Sequence, residues 1–358
     1  MFGKRRNYAL ATLVVFFLLN ATAGSVRAER LAVVATFSVL GDMVSQIGGD
    51  KVSVTTLVGP NGDTHMYQPT PAAAGAVAKA QMLVINGLDY DKWIERLRHA
   101  TNFKGLTVTA TEGIKPLESD EHHSSSEDKH DEHGKSEKHD REHAGHEKGH
   151  NDAENHGDKH STKHHRDEHQ AHKETDHDGH HHGVYDPHAW HDPVHGQAYA
   201  RNIADGLSTI DPANTAYYRS RLTNYVNELA ALDAEIESRL SQVPVNRRTV
   251  ITSHDALHYF GRAYGLRFLA PQGLSTESEP SAEGVAHLIR QIRKQRITAV
   301  FVQNLGDPRL VKQIAAETGA TLGGTLYTDA LSPVDGPAST YLDMLRSNAT
   351  VLHDALRR

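Results

Sequence analysis

The chain has no cysteine, which excludes disulfide bonds, thiolate metal sites and a lipid-modified N-terminal cysteine. Long apolar runs are nearly absent as well. The clearest, Tyr8 to Leu19, covers only about 12 residues, against the roughly 20 that a helix needs to cross a bilayer. It follows the basic run Lys4, Arg5, Arg6 and leads into small residues ending Val26-Arg27-Ala28. That order is a secretory signal peptide over residues 1–28, cleaved after Ala28, rather than a membrane anchor. A soluble periplasmic protein is expected.

Charge of one sign is scarce outside a single region. Of a net −7, residues 119–183 contribute −9 through 18 Asp+Glu and 9 Lys+Arg, and residues 1–28 contribute +4, which leaves −2 on the rest. A body so near neutral offers no electrostatic footing for nucleic acid or an anionic membrane. Residues 119–183 also lack Leu, Ile, Val, Phe, Tyr, Trp and Met, yet hold 18 of the 27 histidines. Such a stretch cannot bury enough apolar surface to offset the entropy of ordering it, so disorder is expected there. It interrupts a folded domain whose patterns resume on both sides.

Those patterns alternate. LAVVATF (31–37) suits a buried parallel strand. A helix bearing Val39, Met43, Val44 and Ile47 follows, stopped by Gly48-Gly49. Strands over 52–58, 82–87 and 106–110 then alternate with helices around 71–80 and 91–98. After the acidic run, 193–207 is helical, and Asp211-Pro212 opens a longer pattern with proline at the first helical position. Tyr218, Leu222, Tyr225, Leu229, Leu232, Ile236 and Leu240 recur at threes and fours up to Pro244, giving roughly 30 residues, or about 45 Å of helix. Strands at 248–253, 266–270, 297–303 and 321–327 alternate with helices ending near Tyr264 and over 281–295 and 307–318, and a C-terminal helix closes the chain. At 358 residues the chain exceeds one ordinary core. The expected fold is α/β, two parallel-sheet lobes (29–210 and 244–358) joined by one long helix over 211–243.

Outside the acidic run nine histidines remain. Three of them sit where α/β folds place ligands, at strand-to-helix junctions: His65 in VGPNGDTHMYQPTP, His188 in YDPHAWHDP and His254 in VITSHDALHYF. Asp329, in GTLYTDAL, follows the last strand in the same way. Three neutral imidazoles and one carboxylate complete a tetrahedral set for Zn²⁺. Each stands alone in its segment, however, and a lone residue of this kind is more often a cap or turn residue than a ligand. The residues by themselves leave the two readings balanced.

The segments GPNGDTHMYQPTP, NGLDYDKWIERL, DPHAWHDP, SHDALHYFGRAYGL, STESEPSA, VQNLGDPRLVKQIAAETGA and YTDALSPVDGPASTYLDMLRSN resemble, in order, the metal-binding solute-binding proteins of zinc and manganese ABC transporters, the cluster A-I or cluster 9 family. The likeness runs from about residue 31 to the C-terminus, apart from the acidic run. It implies a metal in the cleft between two α/β lobes held by one rigid helix, with His65, His188, His254 and Asp329 at the ligand positions. Manganese-binding relatives tend to carry Glu where this chain has His254, and imidazole in place of a hard oxygen favours zinc. Zinc also outcompetes manganese at almost any nitrogen site whatever the cargo, so manganese stays open.

The implied function is the periplasmic high-affinity zinc-binding component of an ABC importer: a monomer, not an enzyme, handing Zn²⁺ to a membrane permease and its ATPase. It would touch the membrane only through the permease. The alternatives are a manganese or mixed receptor and a periplasmic zinc buffer or metallochaperone. A metalloenzyme would need an open water position and a base. Glu279 would fit that role only without Asp329, and no HExxH, nucleophile elbow or phosphate loop is present.

The other candidates have plainer readings. His191 is read as a surface residue or as support for the ligands, with an auxiliary ligand role less favoured. His195, His99, His287 and His353 are read as surface residues. His258, four after His254, shares a helix face with it and supports or packs. Asp63 caps a turn, and Glu277 and Glu279 shape the cleft rim. The histidine-rich run is a weak zinc collector beside His188, a buffer or sensor, or a tolerated insertion.

Overall fold

The computed structural model describes residues 30–119 and 184–357. The signal peptide expected at 1–28 and residues 120–183 of the histidine-rich run lie outside the described residues. Ser119, expected at the start of that run, is buried, and its N–H donates to the Val184 carbonyl at 2.9 Å. Glu118 and Tyr185 form an antiparallel bridge beside it.

Two four-stranded parallel sheets make up the body. The first has strand order β2-β1-β3-β4, from β1 (Leu31–Phe37), β2 (Val52–Val58), β3 (Met82–Ile85) and β4 (Leu106–Thr109). Its central strands are apolar on both faces, as parallel strands covered by helices must be. Val33, Val34, Ala35 and all of Met82–Ile85 are buried. Helices α1 (Ser38–Gly48), α2 (Pro71–Lys79), α3 (Trp93–Ala100) and α4 (Pro193–Ile210) cover it. The last begins as the sequence dictates, with proline in the first turn and the Asp192 carboxylate accepting from Val194 N–H.

The second sheet has strand order β6-β5-β7-β8, from β5 (Thr249–Ile251), β6 (Arg267–Leu269), β7 (Ala299–Gln303) and β8 (Thr321–Leu326). Side chains alternate across it. Val250, Ala299 and Phe301 join the main core, which is continuous with that of the first sheet, while Ile251 and Val300 face a smaller core with Leu288, Ile292, Val311 and Ile314. The smaller core lies under α7 (Ala282–Gln295) and α8 (Arg309–Thr318); α6 (His258–Tyr264) lies on the main-core side.

The long helix α5 spans Thr215–Leu240, with all seven expected apolar residues buried. At 26 residues it is about 39 Å long. It starts later than Pro212 because Pro212–Asn214 form a separate 3₁₀ turn, tied by Asp211 Oδ2 to Asn214 Nδ2 and Tyr218 Oη, both at 2.7 Å. Helix α5 packs against α1 and α4 on one side and touches α6 on the other. Tyr264 donates to its Asp233 at 2.7 Å. The C-terminal helix α9 (Tyr341–Leu356) packs on β8, α5 and α1 alike. Among the described residues no helix is long and apolar enough to cross a membrane.

Candidate metal centre

The carboxyl ends of both sheets converge. His65 lies in the turn after β2, His254 three residues after β5, and Asp329 three after β8, while His188 enters from the segment leading to α4. One ligand atom from each of the four lies within 4.8 Å of all the others. Asp329 Oδ1 is 3.1 Å from His188 Nε2 and 3.7 Å from His65 Nε2, and its Oδ2 is 3.0 Å from His254 Nε2. Four ligands at 2.0–2.1 Å around a tetrahedral ion stand about 3.3 Å apart, so the arrangement is of the right size to hold one.

Two of the three rings are aimed by a named partner. Asp186 Oδ1 accepts the His188 backbone N–H at 2.9 Å and its ring Nδ1–H at 2.8 Å. Gln303 Oε1 does the same for His254, at 2.7 and 3.0 Å. With Nδ1 protonated, the Nε2 lone pair is free for a metal. The Nε2 atoms of His65, His188 and His254 are buried and have no hydrogen-bond partner among the described residues. Thr328 Oγ1 donates to Asp329 Oδ2 at 2.7 Å, and Tyr90 Oη lies 3.4 Å from Oδ1.

Tyr90 is placed by strained backbone. Gly87, Leu88 and Asp89 all have positive φ (87°, 51° and 65°), uncommon for the two non-glycine residues. The turn is closed by the buried Asp91, which accepts from Asn86 N–H and Thr36 Oγ1 at 2.7 Å each and from Gly87 N–H at 3.3 Å. The Tyr90 ring therefore stacks edgewise on His65 (4.8 Å) and Trp190 (4.8 Å), with Trp190 5.2 Å from His188.

The electrostatics follow. Burial opposes ionisation of Asp329, yet the attraction of His254 and its contacts with His188 and His65 outweigh burial and hold its carboxyl well below the usual range. Burial would lower His188, but Asp186 and Asp329 push it up to about 9. A proton on that ring must leave before Nε2 can ligate.

Of the two readings given to His191, a surface residue or support for the ligands, the surface one does not hold: it is fully buried beside Trp190, and neither ring nitrogen is hydrogen-bonded among the described residues. Burial drives its pKa down to about 3. His258 does not share a helix face with His254, because α6 begins only at His258. His195 is half-buried against Tyr259, and His353 is buried with Nδ1 2.9 Å from Asp354 Oδ1; both differ from the surface reading. His99 and His287 are exposed. Asp63 caps its turn, accepting from His65 N–H at 2.9 Å, and its other oxygen accepts from Thr276 Oγ1 of the second lobe at 2.7 Å. Glu277 and Glu279 are exposed, and Glu279 lines a cavity of about 460 Å³ that reaches His254. The sequence reading missed Asp186, Gln303, Thr328 and Tyr90. Of these, Asp186 left a local signal, an Asx side chain two residues before the histidine it holds.

A family model described as "Zinc-uptake complex component A periplasmic" matches residues 33–355. Among curated proteins the chain is similar to the iron-binding protein YfeA of Yersinia pestis, 28% identical over 353 residues, covering 97% of this chain and 94% of that one. Among solved structures it is similar to the S38A mutant of a Mn-bound periplasmic metal binding protein from Candidatus Liberibacter asiaticus. That match has a TM-score of 0.70 and 28% identity, and covers 92% of this chain and 100% of the other. The periplasmic zinc binding protein TroA of Treponema pallidum superposes with a TM-score of 0.71 at 23% identity over 92% and 100% of the two chains, a likeness of fold.

Proposed function

Because this chain belongs to the family described as zinc-uptake complex component A, periplasmic, whose members are solute-binding receptors and not enzymes, we propose that it is the high-affinity zinc-binding component of an ABC metal importer. The observation that carries the reading is the convergence of three partner-free imidazole Nε2 atoms on one buried carboxylate. Three nitrogens and one oxygen suit Zn²⁺, whereas Mn²⁺ and Fe²⁺ sites are richer in oxygen and water. The bound ion is cargo, released to a membrane permease driven by its ATPase. The working location is the periplasm, reached by removal of residues 1–28. The histidine-rich run acts as a weak collector.

Relatives named for iron and for manganese support a second reading, a receptor for one of those ions. Because Zn²⁺ outcompetes Mn²⁺ at almost any nitrogen site, competition calorimetry can refute the zinc reading, and uptake of each ion by cells with and without the intact chain separates the cargos. The zinc reading predicts one tight Zn²⁺ per folded body that excess Mn²⁺ or Fe²⁺ does not displace, and His254→Glu narrows that preference. A wild-type protein that holds Mn²⁺ or Fe²⁺ as firmly as Zn²⁺ refutes it.

A further inference from the structure

Asp186 is fully buried, and a buried carboxylate needs compensation at both oxygens. Oδ1 is engaged twice by His188. Oδ2 makes no hydrogen bond among the described residues, and its charged neighbour is His258 Nδ1 at 3.4 Å. The other ring nitrogen of His258 lies 3.0 Å from Asp255 Oδ1. Contacts with Asp186 and then Asp255 hold the His258 pKa up at about 10 against partial burial, so the ring is a cation.

His258 belongs to α6 of the second lobe, whereas Asp186 belongs to the segment that enters the first. The same helical turn grips that segment once more: Tyr259 Oη donates to the Asp186 carbonyl and accepts from Leu117 N–H, both at 2.9 Å. Asp255, His258, Asp186 and His188 thus form one chain of contacts from the second lobe to the metal centre.

We propose that His258 is a positioning residue for this centre: its cation holds Asp186 from across the cleft, and Asp186 in turn fixes the ring and tautomer of His188. The proposal rests on the metal-receptor reading above. Outer partners of metal-bound histidines are worth roughly 10- to 100-fold in affinity. An imidazole acting at one remove further belongs at the low end.

The test is a double-mutant cycle on the full chain, with zinc affinity read by chelator competition. H258L weakens zinc about tenfold, and D186N weakens it at least as much. The double variant is no weaker than D186N alone, because the two act through one path. H258K, which restores a cation, recovers most of the loss, and H258Q does not. Independent, additive losses, or equal losses in H258K and H258L, overturn the proposal, as does unchanged affinity in H258L. Wild-type protein that binds no divalent ion tightly takes down the receptor reading itself, and a tight wild-type site with an indifferent H258L takes down only the relay.

Discussion

His188 and His254 reach the metal centre from opposite sides and are held by the same device built from different chemistry. In each case a single oxygen takes both the backbone N–H and the ring Nδ1–H, Asp186 Oδ1 on one side and Gln303 Oε1 on the other. The shared geometry sets ring and tautomer, so both present Nε2 to Asp329 at 3.0–3.1 Å. The charge differs. A carboxylate also draws a proton onto the ring it holds, and His188 is pushed up to about 9 despite its burial, whereas an amide brings no charge. Aiming a ligand and placing a charge behind it are therefore separable: this site aims a ring twice and sets a carboxylate behind it once.

The comparison breaks first at the ligand that both histidines face. Asp329→Ala removes it and lowers zinc affinity by more than the roughly 100-fold that an outer partner can cost, as read by chelator competition. Next come the holders. Gln303→Ala lets the His254 ring turn and costs about 10- to 100-fold. Gln303→Glu keeps an oxygen for the His254 N–H and Nδ1–H, loses the Nε2–H bond to the His254 carbonyl (3.1 Å), and gives both sides a carboxylate. A ring that binds its proton more tightly yields it less readily to metal, so zinc is released at a higher pH on acidification. An unchanged release midpoint would mean that the holder's charge is irrelevant.

A third histidine sharpens the contrast from outside the set. His191 lies three residues from His188, equally buried but with no hydrogen-bond partner at either nitrogen among the described residues, and its pKa falls to about 3 instead of rising. The unfolded chain, with a pKa near 6.5, takes up this proton first, so stability is lost as pH falls from about 6.5 to 3, and the term is absent above that window. At pH 5 the loss is about 2 kcal/mol. Denaturant melts of the metal-free His191→Leu variant should lack that part of the acid slope, and an identical slope would contradict the burial argument. The smallest effect is expected from deleting 120–182. Ser119 N–H already meets the Val184 carbonyl at 2.9 Å, so a short Gly linker spans the gap. The tight zinc site should be unchanged, with only weaker binding lost in a calorimetric titration.

Much of this was legible in the chain. Apolar runs and helical spacing mark the central strands of both sheets and every buried position of the long helix, because those faces are dictated by periods of two and 3.6. His65, His254 and Asp329 could be picked out because they follow strand ends, and His188 by the family resemblance of its segment, but their meeting is a property of two sheets facing each other. Gln303 was invisible as a holder because its histidine lies 49 residues away. His191 sits in a single 3₁₀ turn, Ala189–His191, too short to show any period, and so its burial could not be read.

The central claim, a four-ligand zinc site built by His65, His188, His254 and Asp329, is tested most directly by anomalous diffraction. Crystals grown with equal zinc and manganese should show one strong site on the folded body at the zinc edge. That site should lie about 2.0–2.2 Å from three Nε2 atoms and one Asp329 oxygen. A site seen only at the manganese edge, or one that leaves out any of the four residues, would contradict the account.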